Sequence, residues 1–127
     1  MVRFSSMERL LVMLICVHSL GVGVLLMAAP QWALRFGGWP GIDPVFFAQQ
    51  AGIFHVVLVA GYVLEYVRHR GVMFMITAKS IAVVFLLGVW LLTDVPWAVP
   101  LSGVADGLMA IAIWWVHRRA QAEGWSP

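Results

Sequence analysis

Four ionisable side chains carry whatever chemistry this 127-residue chain can do: His18, His55, Lys79 and Asp106, each set in a separate apolar run. Lys79 lies in MFMITAKSIAVVFLLGVWLL (residues 73–92), a stretch long enough for a helix to cross a bilayer, for which about 20 residues suffice. A lysine or aspartate at the centre of such a helix costs on the order of 2.5 to 3.5 kcal/mol on insertion scales, so these groups turn inward and pair. Depth follows from counting along each run from its basic end. Arg9 to His18 and Arg70 to Lys79 are nine residues each, His55 to Arg68 is thirteen, and Asp106 to Arg118 is twelve. All four side chains therefore fall roughly 13 to 20 Å from one edge, in a polar band about the midplane.

Lys79 and Asp106 are opposite in sign and lie on consecutive antiparallel runs, which makes each the expected counter-charge of the other. Side chains tilt toward the N-terminus of their helix, which favours a water- or histidine-bridged contact over a direct one. Three readings of the band follow. It is a closed ion pair that fixes helix register, a proton or substrate path, or a seat for a small anionic or quinone-like headgroup. The closed pair is the expectation adopted. Two histidines on neighbouring helices also raise axial haem ligation, but the depths of His18 and His55 differ by roughly 6 Å, and hydrogen-bonded interior histidines are expected instead. No metal-ligand spacing, nucleophile triad, phosphate loop or nucleotide fingerprint is present, so neither a metal site nor a catalytic residue is expected, and the chain is not read as an enzyme.

The elements that must position this band are helices. The chain is 62% hydrophobic, 11% charged and has a mean hydropathy of +0.91, which excludes an ordinary soluble domain. Spans are expected at about 8–29, 45–66, 72–93 and 97–116, joined by an outer interfacial loop at 30–43. The fold class is an all-α antiparallel four-helix transmembrane bundle in a single domain, 1–127. The first span resembles a signal peptide, but its apolar run of about 20 residues exceeds the usual 7 to 15, and it is read as retained. The lone Cys16 is read as a packed hydrophobe.

Arg3, Arg9, Arg68, Arg70, Arg118 and Arg119 all fall on one side of these spans, against Arg35 alone on the other, which places both termini in the cytoplasm. The net charge of +2 and the pI near 9.2 thus reflect topology and do not point to a nucleic-acid partner. Trp32, Trp39, Trp97, Trp114 and Trp115 are expected as interfacial anchors, with a short helix over 32–36. Gly103 and Gly107, one turn apart beside Asp106, and Gly52 in a small-and-polar stripe with Ala48, Ala51, His55, Tyr62, Glu65 and Tyr66, are expected at close helix contacts. Gln49 and Gln50 are read as hydrogen-bonding groups at the outer end of the bundle. Glu65 is expected to ion-pair with Arg68 or Arg70, and His69 and His117 to meet only the interface.

The outer loop APQWALRFGGWPGIDPVFFAQQAGIF, a second helix ending GYVLEY, a third carrying AKS and a fourth carrying ADG together resemble the DoxX-like small four-helix bacterial membrane proteins, from about Met7 to Arg119. The resemblance implies a bacterial inner-membrane location. It also implies a kinship with proteins some of which are subunits of quinol-oxidising or other redox assemblies. The cysteines of some redox-linked relatives are missing here, so thiol chemistry is not expected. Two function classes stand. One is an accessory subunit packed against a larger respiratory or photosynthetic membrane complex. The other is a homo-oligomeric transporter or proton or anion pathway, for which the charge bias excludes dual topology.

Overall fold

A computed structural model describes residues 3–124. Five helices follow in order: α1 (Phe4–Ala28), α2 (Pro30–Phe36), α3 (Phe46–His69), α4 (Met73–Leu92) and α5 (Ala98–Ala122). No strand occurs among the described residues. Helices α1, α3, α4 and α5 are long and apolar enough to cross a membrane. At 20 to 25 residues each they measure about 30 to 37 Å, matching or slightly exceeding a hydrocarbon core of about 30 Å.

Neighbouring helices run around the bundle in the order α3, α1, α5, α4. Helix α1 packs along α3, α4 along α5, and the two pairs join along α1 and α5, while α3 and α4 touch more sparingly. Near the turn at Arg70, Phe74 of α4 packs against Gly61 and Tyr62 of α3. The core is a column of Val12, Ile15, Tyr62, Tyr66, Val72, Met75 and Ile113. Many of the other large apolar side chains are exposed, as an apolar solvent allows. Helix α4 buries only Met75 and Lys79.

Close approach of α1 and α3 depends on a pair of glycines. A Cβ on Gly23 would lie 2.7 Å from the Gly52 carbonyl oxygen, and one on Gly52 would lie 2.7 Å from the Gly23 carbonyl oxygen. Gly52 was expected at such a contact, and Gly23 is its counterpart. On α5, a Cβ at Gly103 would press on Leu87 at 3.0 Å, whereas one at Gly107 would meet only Val83 at an ordinary 3.5 Å. Gly107 is thus not required by packing.

The helix ends differ from expectation in ways the backbone explains. Helix α5 begins at Ala98 with Pro100 in its first turn, where an amide hydrogen has no partner to lose. It continues to Ala122, beyond the expected end near 116, because Val116 and Ala120 are buried and keep the extra turns packed. Of the residues beyond it, Trp125, Ser126 and Pro127 lie outside the described residues. Helix α1 likewise starts at Phe4, whose ring meets Trp115 edge-on at 5.5 Å.

The outer connection forms α2, longer by two residues than expected, started by Pro30 at its first position. The Gln31 side-chain amide grips the Ile42 peptide, donating to its carbonyl and accepting its N–H at 3.3 Å, which ties the loop back to α2. Trp32 stacks on Phe36 with 5.3 Å between centroids, and Phe36 meets Trp97 edge-on at 5.9 Å. Trp32, Trp97, Trp114 and Trp115 are exposed, as anchors should be. Trp39 instead folds over Gly37 and is half-buried.

Gly23→Val or Gly52→Val is expected to destabilise the bundle by about 1–3 kcal/mol through forced separation of α1 and α3. Gly107→Ala should leave it unchanged. Thermal unfolding of the three variants in detergent checks this, and equal midpoints would refute it.

Candidate functional site

Val72 at the N-cap and Met75 and Lys79 within α4 are buried in line, at the three- and four-residue steps of a helical stripe. The Lys79 ammonium follows two apolar residues into the bundle. Its Nζ donates to Asp106 Oδ1 of α5 at 2.7 Å and to Ser19 Oγ of α1 at 3.4 Å. The Lys79 side chain is 6% exposed and that of Asp106 16%. The expected pair is therefore present and direct. The bridged contact anticipated from side-chain tilt does not occur, because the four-carbon lysine stem is long enough to cover the offset between the two helices.

The other two members of the expected band stand apart from this contact. Ser19, not His18, is the α1 group at the pair. The inward face of α1 is Glu8, Val12, Ile15, Ser19 and Gly23, and His18 lies about 100° around the helix from Ser19, exposed. His55 is half-buried, and its Nδ1 lies 2.8 Å from the Ala51 carbonyl oxygen one turn back on its own helix.

A haem between α1 and α3 does not fit. The Gly23 contact that brings the two backbones together also sets Gly23 against His55, with only 3.0 Å between a Cβ on Gly23 and the His55 Cβ. Among the described residues, no group of three or more His, Cys, Asp or Glu side chains could hold a metal ion.

A second polar contact lies toward the arginine-rich end. Glu8 is fully enclosed, and its Oε2 accepts a hydrogen bond from His117 Nδ1 at 2.8 Å. His117, expected to meet only the interface, is thus the α5 partner of a buried carboxylate. The spacing was visible in the sequence: Glu8 to Ser19 and Asp106 to His117 are both eleven residues, close to three helical turns, so each pair shares a face of its helix. Between the two polar contacts stand Val12 and Ile15 of α1, Met75 of α4 and Ile113 of α5, a dry layer.

Glu65 likewise has a different role from the ion pair expected of it. Its Oε2 accepts the backbone N–H of Phe74 at 2.9 Å, supplying the start of α4 with the acceptor that Val72 at the N-cap lacks. The turn between them passes through Arg70 in the left-handed region, φ 51°, and Gly71 lies against Glu65. The Arg70 guanidinium sits 5.3 Å over the Tyr66 ring. At the other end, Gln49 Nε2 donates to the Met27 carbonyl at 3.4 Å, joining α3 to α1 as expected of a bundle-end amide.

Chemically, the arrangement is a neutralised acid–base pair with one hydroxyl neighbour, held by three helices. It positions charge rather than presenting a nucleophile. Comparison with protein-family models, curated proteins and solved structures gives no match for this chain.

Lys79→Met leaves Asp106 enclosed without its counter-charge and is expected to cost about 3–5 kcal/mol, with Lys79→Met/Asp106→Leu regaining most of the loss. Denaturant unfolding in detergent measures both. A double variant no more stable than the single one would show that the two residues are not coupled.

Proposed function

We propose that the chain is a small integral membrane subunit of DoxX-like type that packs against a larger redox or energy-converting complex in a bacterial inner membrane. One observation carries the reading: the opposite charges of the membrane interior, Lys79 and Asp106, are engaged with each other within the chain, while its outside is apolar over long stretches. Lys79 pairs with Asp106 and Ser19. On α4, Ile81, Val84, Phe85, Leu91 and Leu92 are all well exposed. A directly bonded, enclosed pair beside a dry layer favours a fixed structural core over a conducting pathway.

Blue-native electrophoresis of membranes extracted in mild detergent, with the chain tagged, checks this. The chain is expected in an assembly much larger than one 14.1 kDa subunit in its micelle, and photo-crosslinkers at Ile81 and Val84 should capture a second polypeptide. Migration of the chain alone, with crosslinks to lipid only, would defeat the reading.

Both termini are assigned to the cytoplasm on the strength of the arginine bias. A C-terminal fusion to a fluorescent protein that matures in the cytoplasm is expected to be bright, and a fusion to a phosphatase active only outside it inactive. The opposite pattern would invert the topology.

A further inference from the structure

The arginine-rich end of the bundle presents an excess of exposed positive charge, its arginines outnumbering the one exposed carboxylate, Glu123. The chain has six acidic residues. Glu8 is enclosed against His117, Glu65 receives the Phe74 N–H, and Glu123 Oε2 receives the Phe4 N–H at 3.1 Å. Asp106 holds Lys79, and Asp43 and Asp94 belong to the opposite end. Arg3, Arg68, Arg118 and Arg119 meanwhile stand exposed.

Two of these arginines are set in a repeated arrangement. The Arg118 guanidinium lies 5.6 Å from the centre of the Trp114 ring and that of Arg119 lies 5.4 Å from the centre of Trp115, each one helical turn past its indole. Both indoles are about half exposed, at 48% and 45%. Indoles of this kind settle at the boundary between hydrocarbon and headgroups. A 25-residue α5 of about 37 Å outruns a core of about 30 Å, so its last turns enter the headgroup layer. Stacking on a ring uses the face of a guanidinium, while its N–H donors lie in its plane, where they match a phosphate with two parallel hydrogen bonds.

We propose that Trp114 with Arg118 and Trp115 with Arg119 form a twin headgroup site for anionic phospholipid in the leaflet at this end of the bundle. An acidic protein surface would use the same charge. The exposed indoles at the apolar boundary, however, match a lipid whose phosphate sits directly above its acyl chains. The site rests on the four helices crossing a bilayer and not on assembly with a partner complex, so it is tested on the isolated chain.

Full-length protein in detergent is offered equimolar phosphatidylglycerol and phosphatidylcholine, and bound lipid is read by native mass spectrometry. Phosphatidylglycerol is expected to be retained preferentially. Arg118→Gln/Arg119→Gln should reduce that preference by roughly twenty-five-fold, about five-fold for each arginine near the surface. Arg118→Lys/Arg119→Lys should lose part of it, and Arg35→Gln at the opposite end none. In the unaltered chain the preference should fall with added salt, which needs no variant to fold. Equal retention of the two lipids, or a preference indifferent to loss of both arginines, would overturn the site. Full retention by the lysine variant would reduce it to plain charge attraction and overturn the stacked geometry.

Discussion

Two opposite charges removed from water attract strongly only if they touch, and the bundle is arranged so that Lys79 and Asp106 do. Each alone would be a heavy liability in hydrocarbon. At 2.7 Å they neutralise one another, with Ser19 taking a further ammonium hydrogen. That contact fixes the rotation of α4 and α5 and draws α1 to both. It also explains how α4 keeps its place with so little else buried: little apolar driving force acts between helices in lipid, so the polar contact and close packing must supply the specificity.

The same economy governs α1 and α5. Their shared interface is bracketed by Glu8–His117 at one level and Ser19 near the Lys79–Asp106 pair at another. A slip of one turn along the axis would part both levels at once and bring carboxylates against Val12, Ile15 or Ile113. Helix α3 is attached differently, by the mutual approach of Gly23 and Gly52, a contact that requires the absence of side chains. Polar pairing and close backbone approach thus divide the bundle between them.

The four spans were legible in the sequence because length and hydropathy dictate them, and the midplane pair was legible because depth is a matter of counting residues from a charged end. Rotation about the helix axis was not. His18 drew attention over its neighbour Ser19 because an imidazole in an apolar run is conspicuous, yet the stripe from Glu8 to Gly23 settles which of the two points inward. Gly23 was hidden for the same reason, as GVG offers Gly21 equally until α3 chooses a side. Glu8 and Glu65 sat at span ends, where a carboxylate ordinarily reaches water. His117, just past the expected end of its span, meets the first, and the tight Arg70 turn brings the Phe74 amide to the second. The headgroup-facing indoles were visible from the start as anchors, but the stacked guanidiniums above them belong to helical turns that the sequence did not show to be folded.

Chain order gives the Lys79–Asp106 contact a temporal dimension. Synthesis runs from the N-terminus, so the lysine emerges 27 residues ahead of its carboxylate. During that interval α4 holds a cation with no acidic partner at its depth, and only the hydroxyl on α1 is already made. Arrival of α5 then does more than add a fourth helix: it converts a strained intermediate into a neutral one. The charge balance of the bundle interior is therefore reached only once α5 is made, and a chain shortened before Asp106 would leave Lys79 without its carboxylate.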